Sequence, residues 1–160
     1  IYWGSIMRQT VGNTFIIKLV IIFTLLFSAF LALAITYNKI FKMKNEVVSI
    51  VEKYEGVNTT STNIIKNYFE YINYRTTNYC PNSMYDNSNN VYGITSDGVN
   101  EIASQDKKYL MCYYKTKKSN TTENVRQYVY NVVVFYKFDL PVLGDLATFA
   151  ITGQTKAIIE

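Results

Sequence analysis

The chain has 160 residues with 16 Lys and Arg against 12 Asp and Glu, two Cys, two Pro and no His. Without His, Ser-His-Asp and Cys-His nucleophile schemes, His-ligated zinc and His-ligated haem are all excluded. Charged residues are 18% of the chain, below the roughly 25% of an average soluble protein, and the apolar residues, 49% of the total, crowd near the N-terminus.

Residues 1–13 read as a mixed N-terminal extension. From Phe15 to Tyr37 the sequence is FIIKLVIIFTLLFSAFLALAITY, with Lys18 its one charge. A helix of that length spans about 35 Å, against about 30 Å of bilayer hydrocarbon. The segment is therefore read as transmembrane. The hydroxyls of Thr24 and Ser28 are expected to bond back to the carbonyl four residues earlier, and Lys18 can snorkel to the interface. A buried core helix would be shorter and carry polar residues on one side. A cleaved signal would have an apolar run of only about 7 to 15 residues and a cleavage loop after it.

Beyond Tyr37 the apolar residues Ile40, Met43, Val47, Val51 and Tyr54 recur at helical spacing among Lys and Glu. Neither Pro nor Gly interrupts residues 14 to 55. One continuous helix over 14–56 follows, apolar all round in its first half and amphipathic in its second, with Gly56 as its C-terminal cap. Lys39 and Lys42 join Lys18 as residues of the membrane interface.

Residues 57–160 are read as an extracellular head. A second helix is expected over about Thr62 to Tyr74, capped by Ser61 or Thr62, with a stripe of Ile64, Ile65, Tyr68, Phe69 and Ile72. Residues 76–90, rich in Asn, Ser, Thr and Tyr, read as a surface loop with little to bury, and residues 91–95 as a short edge strand. Three strands follow: about 109–117, then 126–140 after the polar turn KSNTTEN, then about 145–158. The central one places Tyr128, Tyr130, Val132, Val134, Tyr136 and Phe138 on one face, and Val129, Asn131, Val133, Phe135, Lys137 and Asp139 on the other. Pro141 and Gly144 punctuate the connection, and Gly153 marks a bulge or twist. The class is α+β: an antiparallel sheet packed on a helix, at the end of a long apolar helix.

Cys80 in the polar loop and Cys112 in a strand read as one disulfide rather than two separate thiols, worth on the order of 3 to 4 kcal/mol. Orientation is read from conflicting signals. The lysines after the span favour a cytoplasmic head, whereas the disulfide and the Tyr, Asn and Thr content favour an external one, and a basic leader preceding Ile1 would reconcile the two. The acids Glu52 and Glu55 are read as surface charges of a helix, and Lys115, Lys117 and Lys118 as a weak basic cluster. No Gly-rich phosphate loop, CxxC or G-x-S-x-G occurs. An enzyme, a cofactor, a metal site and a nucleic-acid partner are not expected.

The layout as a whole, the post-membrane segment KNEVVSIVEKYEG and the end YNVVVFYKFDLPVLGDLATFAITGQTKAIIE in particular, resemble pilin-like proteins, closest to the TadE-like pilins of tight-adherence systems and their relatives in Gram-positive bacteria. The chain departs from type IV pilins in having Ser5 where their mature chains carry Glu, and in having its first acid at Glu46. The resemblance implies a structural subunit of a surface filament, with other copies or other pilins as partners and the membrane as its environment before assembly. Helix-helix assembly would then run through Leu19, Ile22, Leu26, Ala29 and Leu33, helped by small residues that allow close approach. The alternative is a single-pass anchored accessory protein of a secretion, conjugation or envelope complex whose head binds a protein. A third reading is an adhesion module whose tyrosines contact carbohydrate.

Overall fold

A single helix, α1, runs Tyr2–Lys53 in the computed structural model, which describes residues 2–85, 90–118, 126–140 and 144–159. Side chains are described for all of these except 2–13, 138–140 and 144–147. The turn after Lys118 and Pro141, both singled out from the sequence, lie outside the described residues. The helix begins well before Thr14, so the N-terminal extension is helical in backbone rather than a separate segment. Extending an existing helix fixes one residue per hydrogen bond and needs no new nucleus, so a mixed sequence can continue it without an apolar stripe.

The far end of α1 closes in a Schellman arrangement. Gly56 N–H donates to the Val51 carbonyl at 2.8 Å and Glu55 N–H to that of Glu52 at 3.2 Å. Glu55, with φ of 54°, takes the left-handed position, and Gly56 follows at φ of 132°. Gly56 is needed on a second count: a Cβ there would lie 2.6 Å from the Tyr130 hydroxyl oxygen. Helix α2 spans Thr59–Tyr71, three residues earlier than the sequence suggests. Asn58 is its cap, accepting from Ser61 N–H at 2.9 Å while Ser61 Oγ accepts from Asn58 N–H at 2.8 Å. Ser61 is thus the third residue of a capping box, and Asn73 at φ of 53° ends the helix as Glu55 ends α1.

The head is larger than three strands on one helix. Strands β2 (Val91–Ile94), β3 (Asn100–Ile102), β5 (Met111–Lys118), β6 (Gln127–Leu140), β7 (Gly144–Gln154) and β8 (Ile158–Ile159) form an antiparallel sheet in the order β3-β2-β5-β6-β7, with β8 pairing β6. A second ribbon joins β1 (Asn78–Tyr79) to β4 (Lys108–Tyr109). The 91–95 segment is therefore interior, with the short β3 as the edge outside it. Gly93 makes this packing possible, since a Cβ there would meet the Tyr109 ring at 2.3 Å. The final strand is split. Tyr130 N–H donates to Thr155 Oγ1 at 3.0 Å and Thr155 N–H to the Tyr130 carbonyl at 3.0 Å, so a side chain replaces one rung between β7 and β8. The register shift lies between Phe138 and Asp139, not at Gly153. Gly153 instead lets α1 approach: a Cβ there would stand 2.7 Å from the Lys44 side chain and 2.9 Å from Val48 Cγ2.

Both faces of the sheet are covered. On one, Met43, Val47, Ile50 and Val51 of α1 and Ile65 and Phe69 of α2 pack on Ile94, Met111, Tyr113, Tyr130, Val132 and Val134. Burying the four α1 side chains at about 1.5–3 kcal/mol each gives on the order of 10 kcal/mol holding the helix to the sheet. On the other face, Cys80, Met84, Ala103 and Tyr109 cover Val91, Cys112, Val133 and Phe135. The polar loop therefore does bury residues, correcting its reading as mere surface: Cys80 and Met84 are each 3% exposed. A single turn of 3-10 helix, Asn82–Met84, carries the methionine inward, and the Cys80–Cys112 disulfide, with a Cα–Cα distance of 5.7 Å, pins the loop to β5.

Two measurements check these points. Glu55→Gly should stabilise the full chain in detergent by about 1 kcal/mol, because glycine adopts the left-handed conformation without penalty, while Gly56→Ala should lower its melting temperature. Replacing both cysteines by serine should remove about 3 kcal/mol from a denaturant unfolding curve, with the loss concentrated in protection of the 76–85 segment against hydrogen exchange.

Candidate membrane-spanning and assembly helix

One physical property sets α1 apart within the chain. Its lower half is core, whereas the described apolar residues of its upper half are left uncovered. Thr14–Lys53 contains a helix long and apolar enough to cross a membrane, and its most apolar window is 0% buried. Phe15 is 67% exposed, Phe30 65% and Ile35 58%, whereas Met43 is 2% and Val47 0% exposed.

The residues expected to mediate assembly lie together. Leu19, Ile22, Leu26 and Leu33 are exposed, and Ala29 is half-buried. Their spacing of three and four residues forms one stripe. Continued downward by the same spacing through Thr36 and Ile40, the stripe runs into Met43, Val47, Ile50, Val51 and Tyr54. The seam that is core below is therefore bare above.

Polar groups in the apolar half are satisfied locally. The Thr24 hydroxyl donates to the Ile21 carbonyl, Ser28 to that of Leu25 and Thr36 to that of Ala32, each at 2.9 Å. The first two reach back three residues rather than the four expected, and the third reaches back four. Either way these three hydroxyls need no water, as hydrocarbon requires. Lys18 and Lys39 are 21 positions apart, about 32 Å along a helix axis, close to the thickness of the hydrocarbon layer. Lys39 and Lys42 are exposed, and Lys44 stands 4.4 Å from the centre of the Phe41 ring. The sequence reading overlooked the aromatic members of this boundary. Tyr37 and Phe41, with ring centres 6.4 Å apart, sit among the lysines, and Tyr37 is of the amphipathic type that collects at membrane surfaces; their i, i+4 spacing was a signal available in the sequence.

The head holds the other expected pair, the Cys80–Cys112 disulfide, far along the chain from the helix residues. Its polar interior is organised by tyrosines. The Tyr74 hydroxyl lies between strands, accepting from Phe135 N–H at 3.0 Å and bonded to the Phe135 carbonyl at 2.5 Å. Just beyond the last β5–β6 pair, Met111–Val134, it thus stands between Phe135 and Leu110, whose carbonyl is 3.2 Å away. Burial raises its pKa well above the ordinary tyrosine range, only partly offset by the Phe135 hydrogen bond. Tyr113 is pushed up to about 12, chiefly by burial, with Asn100 bonded to its hydroxyl pulling the other way. Both therefore serve as neutral hydrogen-bonding groups at neutral pH. Glu101 and Lys107 form an exposed ion pair. Lys115 lies 3.8 Å from the centre of the Tyr128 ring, while Lys117, Lys118 and Lys156 line a shallow groove with Asn131 and Gln154. Among the described residues no three potential metal ligands converge.

Leu26→Asp combined with Leu33→Asp should release the chain from an alkaline-washed membrane fraction, since each acid at mid-span opposes insertion by about 2.5–3.5 kcal/mol; circular dichroism should show the head unchanged. Comparison with known proteins yields no match among family models, curated proteins or solved structures.

Proposed function

We propose that the protein is a structural subunit of a cell-surface filament, stored in the membrane and assembled through the apolar half of α1 with the head outside. The observation that carries this is the continuous seam of α1, whose lower half is a protein core and whose upper half is equally apolar and uncovered. A lipid bilayer can cover that upper half in one state and helices of neighbouring copies in another. About 23 residues at perhaps 70–100 Å² each represent tens of kcal/mol of apolar burial, ample to hold a filament together in water. Ser28, Ala29, Ala32 and Ala34 leave room for close helix approach. A head attached to one side of the helix end leaves the stripe open to neighbours, and head-to-tail contacts of one kind repeat into an open helix. The disulfide in the head supports placing it in an oxidising exterior.

A single-pass anchored protein whose head binds a partner would use the same helix with lipid as its permanent cover. The two readings part on stoichiometry. Electron microscopy of material shed from cells without detergent should show regular fibres with this chain as the repeating unit. Leu26→Asp, Leu31→Asp and Leu33→Asp together should abolish them while the head remains folded. Fibres that persist in this triple variant would refute assembly through α1, and particles that appear only in detergent would favour the anchored protein.

A further inference from the structure

The loop that carries Cys80 and Met84 covers only part of the sheet face it packs on. On that face the rows Cys112–Val133, Tyr114–Asn131–Gln154 and Thr116–Val129 follow one another across β5, β6 and β7. Cys112 and Val133 lie in the loop-covered cluster with Val91 and Phe135. Past them the face opens into a groove of about 660 Å³, its walls formed by Tyr114, Thr116, Val129, Asn131 and Gln154. Three cations, Lys117, Lys118 and Lys156, complete it, and no acid is among its described lining.

These groups are ready to receive a ligand. Among the described residues, the ammonium groups of Lys117, Lys118 and Lys156 and the side-chain amide of Gln154 have neither a hydrogen-bond nor an ion-pair partner. Asn131 Nδ2 donates to Thr116 Oγ1 at 3.3 Å, which orients the amide and leaves its oxygen and second N–H available. Glu52 and Glu55 line a separate recess that shares only Lys156 and Ala157 with the groove, and Glu52 already accepts from Lys156 N–H at 2.7 Å. That bond also ties this corner of the groove to the end of α1 remote from its apolar half, 15 residues or about 23 Å of helix beyond Tyr37.

We propose that this groove binds an acidic polysaccharide, with the carboxylates of its uronate units against Lys117, Lys118 and Lys156 and its hydroxyls against Asn131, Gln154 and Thr116. Charge complementarity supplies the attraction, and amide and hydroxyl side chains, which both donate and accept, match a chain dense in hydroxyl groups. The open strands extend about 13 Å from Tyr114 to Lys118 and about 10 Å from β5 to β7. Such a patch is far smaller than the roughly 800 Å² that each partner brings to a stable protein–protein interface, so it suits a narrow linear chain. A single-stranded nucleic acid would need exposed rings on which to stack its bases, whereas the one aromatic residue in the described lining, Tyr114, is half-buried against the loop-covered cluster. Binding there is independent of whether lipid or neighbouring copies cover the apolar half of α1.

The test uses the full chain in phosphatidylcholine nanodiscs and the fluorescence anisotropy of a fluorescein-labelled oligogalacturonate, with its methyl ester as the uncharged counterpart of the same shape. The acid should bind saturably, more weakly as salt is added, and the ester should not. Lys117→Gln, Lys118→Gln and Lys156→Gln together should raise the Kd about tenfold. Gln154→Ala should raise it about threefold without changing the salt dependence, because an amide contributes a hydrogen bond and no charge. Lys66→Gln, which removes a cation from α2 outside the groove, should leave the Kd unchanged. No saturable binding of the oligogalacturonate, equal binding of its ester, or a Kd indifferent to the triple lysine variant would each overturn the proposal. So would binding of oligoglutamate or oligothymidylate as tight as that of the oligogalacturonate and unaffected by Gln154→Ala, since the groove would then be a patch for polyanions of any kind.

Discussion

The organisation of this molecule follows from the need to cover one uninterrupted apolar helix. An exposed stripe of that length is incompatible with water, so different parts of α1 require different covers. From Met43 to Val51 the cover is built into the chain: a sheet whose one face carries Ile94, Met111, Val132 and Val134 opposite the helix. Above Ile40, which still packs against that core, the described residues supply little cover and the large apolar side chains from Phe15 to Ile35 stand exposed. The junction between these regimes is abrupt, and the lysines Lys39, Lys42 and Lys44 gather there because a cation at such a boundary can keep its charge in water while its stem lies along apolar surface.

Holding the helix against the sheet sets a second group of requirements. A helix crosses a sheet most closely where side chains are small, and Gly153 is the point at which Lys44 and Val48 come down onto β7. Just below, Gly56 gives way to the Tyr130 hydroxyl, and Glu52 accepts a hydrogen bond from the Lys156 backbone. The opposite face of the sheet would lie open if the Asn- and Ser-rich loop did not fold over it. That loop has little apolar content with which to hold itself down, and the disulfide from Cys80 to Cys112 supplies the attachment. Tyr74 completes the arrangement by bonding to the backbone of Phe135 where β5 ends. A neutral hydroxyl, kept so by burial, can act there as donor and acceptor at once.

Features governed by strong local patterning were legible in the sequence. The long helix, its change from all-round apolar to amphipathic, the alternation of β6 and the pairing of the two cysteines all follow from periodicity or from simple counting. Features governed by tertiary contact were not. Strand β3 has three residues and forms because β2 offers it an edge; by composition it is indistinguishable from loop. Asn58 displaced Ser61 as the cap of α2 because both are capping residue types and only the geometry at the end of α1 decides which is in place. Gly153 read as a bulge because a glycine within a strand has two common causes, and the close approach of another element cannot be seen along a single chain. Thr155 interrupting the last strand belongs to the same class, since its hydroxyl imitates a backbone rung only once Tyr130 stands opposite. In the candidate site, the stripe from Leu19 to Leu33 was readable as spacing; its continuity with the head's core required the sheet to be in place.

That continuity constrains how the upper helix can be covered. The stripe of Leu19, Ile22, Leu26, Ala29 and Leu33 lies above the side of α1 that the head occupies lower down, so a neighbouring helix packed on it must pass above the head or be offset along the axis. Side-by-side packing of two parallel copies at equal height would bring the lower part of the second helix against the head of the first, which occupies that side of α1 from Met43 to Val51. In the filament proposed above, parallel helices meeting through this stripe are therefore staggered along the axis, and a head-to-tail contact of that kind repeats into an open helix. Lipid imposes no such condition, since it fills whatever space the head leaves. Under that proposal the same surface is covered first by a bilayer and then, in a displaced register, by the helix of a neighbouring copy.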